Sequence, residues 1–422
     1  MKHSAFLSLW LCIATSLSFT AIANPVGLIP QGPVATPTDL SQKALIQFAI
    51  EQAPTVRQAS KQLSAVEFIG ARVEADRGPR LTGTVEALTR DEFNDTAEVI
   101  LTQPLYSFGR QSAQEKVAAQ QAQVAASNLA LARRDAAIAF IDTYYDWWLS
   151  EQVLAERRNA VTESEELLSV VGQQRSAGVI SSAQQVAAQL EYDRLRRAML
   201  NAETDAVNAL AELEYLLNTR LSAQDLARAA GNANPLAPLS DQAIESMIQR
   251  DPELGARAAE LAVLDAEFRA AQMSERPVIN GLAKLAVDQF TTGNSTVNRG
   301  VGVKIEMNFS APGALNAKLG EIDAQRQAKL AEYEATWRDV RSQLKRQQRT
   351  LETAIRRAQT LAPVLERAQQ TLESNRRQFS SGTADWRAYM ASIAQLSDIR
   401  QTLIEARSLG QAAMARFDIQ QR

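Results

Sequence analysis

The clearest pattern along the chain is a period of two between Gly300 and Phe309. Val301, Val303, Ile305, Met307 and Phe309 alternate with Gly302, Lys304, Glu306 and Asn308. That spacing sends apolar and polar side chains to opposite faces of an extended strand. Leu81, Gly83, Val85 and Ala87 alternate with Thr82, Thr84 and Glu86, Ile279 to Asp288 repeats the pattern less cleanly, and Glu98–Gln103 is the weakest of the four. Strands are therefore expected at about 80–89, 97–105, 278–289 and 299–309, with Arg90–Thr96 and Thr291–Arg299 as polar hairpin loops. Each is of the length that crosses an outer membrane when tilted.

The rest reads as helix. The segments Gly109–Gly178 and Gly313–Gly382 are rich in Ala, Gln, Glu and Arg, all strong helix formers. Long helices are expected at about 109–176 and 313–380, rods of roughly 100 Å, the second kinked at Pro363. Shorter helices near Ser41–Asp76, Ser181–Leu217, Ser240–Ser274 and Ala384–Phe417 would cover the upper and lower parts of each rod. Each half would then be a two-stranded column.

These elements occur twice. Pro54 and Pro79 recur as Pro252 and Pro277, 198 positions on, while Gly109 and Gly178 recur as Gly313 and Gly382, 204 positions on. Gly and Pro mark element ends by mechanism, so equal spacing of these residues signals an internal duplication. The chain divides into a first repeat at 24–217, a linker at 218–239 and a second repeat at 240–422. The six extra residues fall between Pro277 and Asn308.

Composition removes most chemistry. Of 422 residues one is His and one is Cys. His3 and Cys12 both lie in residues 1–23, which read as a signal peptide: Lys2, an apolar stretch from Ala5 to Ser18, then Ala21-Ile22-Ala23. Leu9-Trp10-Leu11 before Cys12 is not a lipidation motif. Beyond residue 23 no thiolate nucleophile, disulfide, Cys/His zinc site or His-based triad can be built. No carboxylate or Lys cluster converges in their place, so the expectation is no enzyme and no cofactor. Lys+Arg number 45 and Asp+Glu 48, leaving no net basic field for nucleic acid. No apolar run beyond the signal reaches the roughly 18 residues of a spanning helix.

Four strands cannot enclose an interior, and lipid tolerates no open sheet edge. Strands that span a membrane must therefore be shared among chains: eight from two, twelve from three, sixteen from four. Two soluble hairpins with one solvated face would show the same alternation.

Gln103-Pro104-Leu105-Tyr106-Ser107-Phe108-Gly109-Arg110 resembles the strand-to-rod junction of the TolC family of outer-membrane export channels, Q-x-L-[aromatic]-x-x-G-R. Met307-Asn308-Phe309-Ser310-Ala311-Pro312-Gly313 is a degenerate second copy. Ser176–Ser181 and Ser380–Asp385 resemble the family's paired periplasmic turns. The resemblance covers essentially the whole chain after the signal. It implies a mainly α fold with membrane β: a long α-helical coiled-coil barrel joined to a shared transmembrane β-barrel. It further implies a homotrimer in the cell outer membrane extending into the periplasm. Its partners would be outer-membrane lipid, a periplasmic adaptor and an inner-membrane transporter of ABC or RND type, serving drug efflux or type I protein secretion.

On that resemblance Gly178, Val179, Ile180, Gly382, Thr383 and Ala384 form the adaptor-docking tips. Gln103, Pro104, Gly109, Pro312 and Gly313 form the strand-to-helix junctions. Val301, Val303, Ile305 and Met307 would face lipid, and Lys304, Glu306 and Asn308 the lumen. Some members carry an Asp pair six and nine residues after the second tip glycine; here those places hold Ala388 and Ala391. Asp385 and Asp398 are the remaining candidates for a charged aperture. The run Tyr144-Tyr145-Asp146-Trp147-Trp148, midway down the first rod, is expected to pack an equatorial girdle joined by the linker. The rival reading is a periplasmic coiled-coil spacer without membrane strands.

Overall fold

The computed structural model describes residues 37, 39–86, 96–229, 236–288, 295–308, 311–383 and 385–421. The expected signal peptide and Ala384 lie outside the described residues, as do parts of both hairpin loops and of the linker. The first repeat comprises α1 (Gln42–Gln52), α2 (Pro54–Ala75), β1 (Arg80–Glu86), β2 (Thr96–Tyr106), α3 (Arg110–Ser176) and α4 (Ser182–Leu217). A short α5 (Ala223–Ala229) stands in the linker. The second repeat comprises α6 (Asp241–Arg250), α7 (Pro252–Met273), β3 (Val278–Asp288), β4 (Thr296–Glu306), α8 (Ala314–Ser380) and α9 (Trp386–Gln421).

The duplication is geometric as well as sequential. Both rods have 67 residues, both returning helices 36, and α2 and α7 have 22 each. One expectation needs correction: each entry helix is two helices, broken before Pro54 and Pro252. A proline at the first helical position lacks only an N–H that would be unbonded there anyway, so it starts a helix. Asp251 then caps α7 by accepting the Glu253 amide hydrogen at 2.8 Å. Pro363 lies inside α8, which continues through it.

The helices form a wall. Toward the sheet the lateral order is α2, α3, α7, α8; toward the opposite end α4 and α9 take the places of α2 and α7. Each half thus packs as the column expected, and the halves join along α3. The core is small-residue in many places, with Ala113, Ala118, Ala125 and Ala137 buried along α3, which lets the rods approach closely. At mid-height Tyr144 and Trp147 are buried with Leu45, Phe140, Leu213 and Leu217. The linker crosses this level on one face of the wall: Leu221 and Leu226 join that cluster, Leu236 lies against Gly410, and the Leu239 carbonyl accepts from Gln348 Nε2 at 3.2 Å.

The four strands form one antiparallel sheet, ordered β1-β2-β3-β4. β2 pairs with β3 across the two halves, and β1 and β4 are its free edges.

Candidate functional site

The register separates the two faces of the sheet. Leu81 stands opposite Leu101, Leu101 opposite Ala283, and Ala283 opposite Val301. Because side chains alternate with period two, Leu81, Val85, Val99, Leu101, Leu285, Val301, Val303 and Ile305 share one face. Thr82, Thr84, Glu98, Thr102, Lys284, Lys304 and Glu306 share the other. On the apolar face Val301 is 87% exposed and Leu81 69%, a contiguous oily surface of a kind that soluble monomers rarely present. Met307 and Asn308 follow the end of β4 and belong to neither strand face.

The alternation breaks once. Between Pro104 and Tyr106 the register of β2 against β3 shifts by one residue, so Tyr106 stands opposite Ile279. Leu105, the extra residue, lies over Gly281, where a Cβ would come within 3.4 Å of its side chain. Two consecutive apolar side chains thereby reach the apolar face at its helix-proximal end. Gln103 Nε2 ties the junction down by donating to the Arg77 carbonyl at 2.8 Å.

From there each half enters its rod through a glycine. Gly109 has φ +87 and Gly313 φ +85, the left-handed region that glycine adopts without strain. The approaches differ. Phe108 also has positive φ, +50, giving the doubly left-handed turn whose Arg110 amide donates to Ser107 at 2.9 Å. Pro312 cannot adopt that conformation, and its turn has only Gly313 left-handed, closed from Ala314 to Ala311 at 2.9 Å.

The far ends of both rods close identically. Gly178 (φ +74) and Gly382 (φ +76) follow the last helical turns. Val179 N–H donates to the Gln174 carbonyl and Gly178 N–H to Arg175; Thr383 donates to Gln378 and Gly382 to Phe379. These are two Schellman motifs. Ser181 and Gln184 then open α4 with a reciprocal capping box. Val179 is exposed and Ile180 half-buried.

Behind the tips, Trp386 and Tyr389 are buried against Val171, Phe379 and Ile393. Tyr389 donates to Glu163 Oε1 at 3.0 Å; burial, then the Glu163 carboxylate, push its phenol well above its ordinary value. Ala388 and Ala391 are exposed on α9. Neither remaining aspartate is a free charge: Asp385 accepts from Arg387 at 3.0 Å and Asp398 from Arg157 at 3.0 Å.

Sequence reasoning missed a groove of about 730 Å³ at mid-rod. Asp142, Asp146, Glu405, Arg356, Arg357 and Arg416 line it, with Arg416 Nε 2.6 Å from Asp142 Oδ1. Burial, then the charge of Asp142, raise the Asp146 carboxyl above its usual range. On α3 its wall is Asp142, Tyr145, Asp146 and Leu149. A second groove nearer the sheet uses Gln114, Val117, Ala118 and Gln121, each four heptads earlier. One face of α3 thus lines both, and it is opposite the face buried beneath the linker. Among the described residues no cluster of His, Cys, Asp or Glu could hold a metal ion.

A sheet with one apolar face and two free edges, continued by paired rods of about 100 Å, defines the class: this is the fold of the outer-membrane efflux channels. Residues 243–418 match the family model described as outer membrane efflux protein, and the TolC-family resemblance read from the sequence holds. The outer-membrane channel OprN is similar at TM-score 0.76 and 17% identity, over 91% of this chain and 90% of that one. The open state of the MtrE outer membrane channel of Neisseria gonorrhoeae aligns at TM-score 0.74 and 14% identity, over 93% and 94%. The outer membrane protein VceC of Vibrio cholerae aligns at 0.70 and 15%, over 90% and 95%. No curated protein matches the sequence.

Proposed function

We propose that the protein is a passive exit duct: three copies close a twelve-stranded barrel in the outer membrane, and their rods enclose a tunnel through the periplasm. The observation that carries this reading is the sheet. Its apolar face needs a non-aqueous neighbour, while its edges, β1 and β4, run antiparallel and satisfy each other only between different chains. No helix of the described residues is long and apolar enough to cross a membrane. Lys304 and Glu306 line the water-filled side and Val301, Val303 and Ile305 meet lipid.

The turns at Gly178–Ile180 and Gly382–Thr383, exposed except at the half-buried Ile180, dock a periplasmic adaptor, which couples the duct to an ABC or RND transporter. Drug efflux and type I secretion are both served by such a conduit, since the duct does no chemistry. The test is the mass of the detergent-extracted protein by light scattering. A trimer is expected; a stable monomer inserted in the membrane would overturn the shared barrel.

A further inference from the structure

Below the sheet, a groove of about 700 Å³ opens between α3 and α7. Phe108 forms its upper edge, Met273 and alanines its floor, and Lys116, Arg269 and Arg276 bring three cations to it. Its one carboxylate, Asp265, is engaged by Arg326 Nε at 2.7 Å. The chain as a whole is acidic, formally −3, so this concentration of positive charge is local.

Two relationships fix which side the groove faces. Phe108 packs edge-on against Tyr106, ring centroids 4.6 Å apart, and Tyr106 stands at the end of the apolar sheet face. Along α3, Ala113, Lys116 and Gln120 of the groove lie four heptads before Ile141, Tyr144 and Trp148, on the side that packs toward the linker. The groove is therefore on the outside of the wall, directly below the apolar face, and away from the side that bears Asp142 and Asp146.

We infer that this groove binds an anionic glycerophospholipid of the periplasm-facing leaflet, its phosphate held by Lys116, Arg269 and Arg276 and its acyl chains running up past Phe108, Tyr106 and Leu105. The inference rests on the barrel reading above, which puts the apolar face in lipid. The bulge at Leu105 extends the apolar face toward the groove. Aromatic side chains settle at the membrane–water boundary, and basic pockets beside an apolar surface select anionic headgroups. Guanidinium groups suit phosphate because they offer paired donors.

The full-length protein, reconstituted in nanodiscs containing equal phosphatidylglycerol and phosphatidylcholine, tests this by native mass spectrometry of the lipid it retains. Wild type should retain phosphatidylglycerol over phosphatidylcholine by about tenfold. The triple variant K116Q/R269Q/R276Q should lose that preference, K116R/R269K/R276K should keep it, and F108A should weaken retention of both lipids. Millimolar inorganic phosphate should leave retention intact, since it has no chains to anchor; displacement would mark a free-phosphate site and overturn the proposal. Equal retention by wild type and the Gln triple variant also overturns it. Resistance of the protein to carbonate extraction is measured in parallel. Extraction-resistant protein without lipid preference defeats this site alone, and protein that never inserts defeats the barrel reading beneath it.

Discussion

Arg134 Nη1 donates to both oxygens of Asp251, at 3.0 and 2.9 Å, and thereby ties the first rod to the start of α7 in the other repeat. Only 15% of the arginine side chain and 5% of the aspartate side chain are exposed. R134A leaves the nearly buried Asp251 carboxylate with only the Glu253 amide as partner, so it should destabilise the protein by about 3 kcal/mol. D251A should cost more, because the same carboxylate caps α7. Chemical denaturation of the detergent-solubilised protein measures both. Equal stability of wild type and R134A would remove this ion pair from what holds the halves together.

Tyr389 gives the lower wall an alkaline limit. Its phenol has a raised folded pKa, from burial first and Glu163 second. The stabilisation is therefore complete below the ordinary tyrosine value near 10 and declines as pH rises above it, since the unfolded chain ionises first. Proteolysis near the α8–α9 turn should accelerate above about pH 10 in wild type. Y389F, which cannot ionise, should show a flatter profile; identical profiles would remove Tyr389 from the explanation.

Adjacent positions of β4 should differ sharply in chemistry. In a background with Cys12 replaced, V303C should resist a membrane-impermeant thiol reagent and K304C should react, because the two side chains leave opposite faces of the strand. The reverse result would invert the barrel.

The tip glycines have open space around an added Cβ, so G178A and G382A should cost only the left-handed backbone penalty, about 1–2 kcal/mol each. Larger side chains such as G382L should impair export while membrane insertion persists. Loss of insertion would instead make these residues essential to folding.

Much of the architecture was legible because punctuation residues act locally. Gly109, Gly178, Gly313 and Gly382 all prove left-handed, and Val301 to Ile305 keep the phase their alternation predicts. The bulge at Leu105 was not legible, since Gln103-Pro104-Leu105-Tyr106 reads equally as a regular strand end. Nor were Arg134–Asp251 or the mid-rod groove: Arg356 and Arg357 resemble any solvated helix charge until the wall brings Asp142, Asp146 and Glu405 to the same groove. A pairing between residues more than a hundred positions apart leaves no periodic trace.

The free edges of the sheet have a genetic corollary. In the proposed three-chain barrel each chain offers β4 to one neighbour's β1 and requires β4 from the other for its own β1, so the ring contains no spare joint. A copy with an unpairable β4 would still be recruited through its sound β1 edge and would spoil every ring it enters. With equal amounts of sound and defective chains, roughly one ring of three in eight would be intact. Such an allele would act dominantly, and its poison would be stoichiometric rather than catalytic.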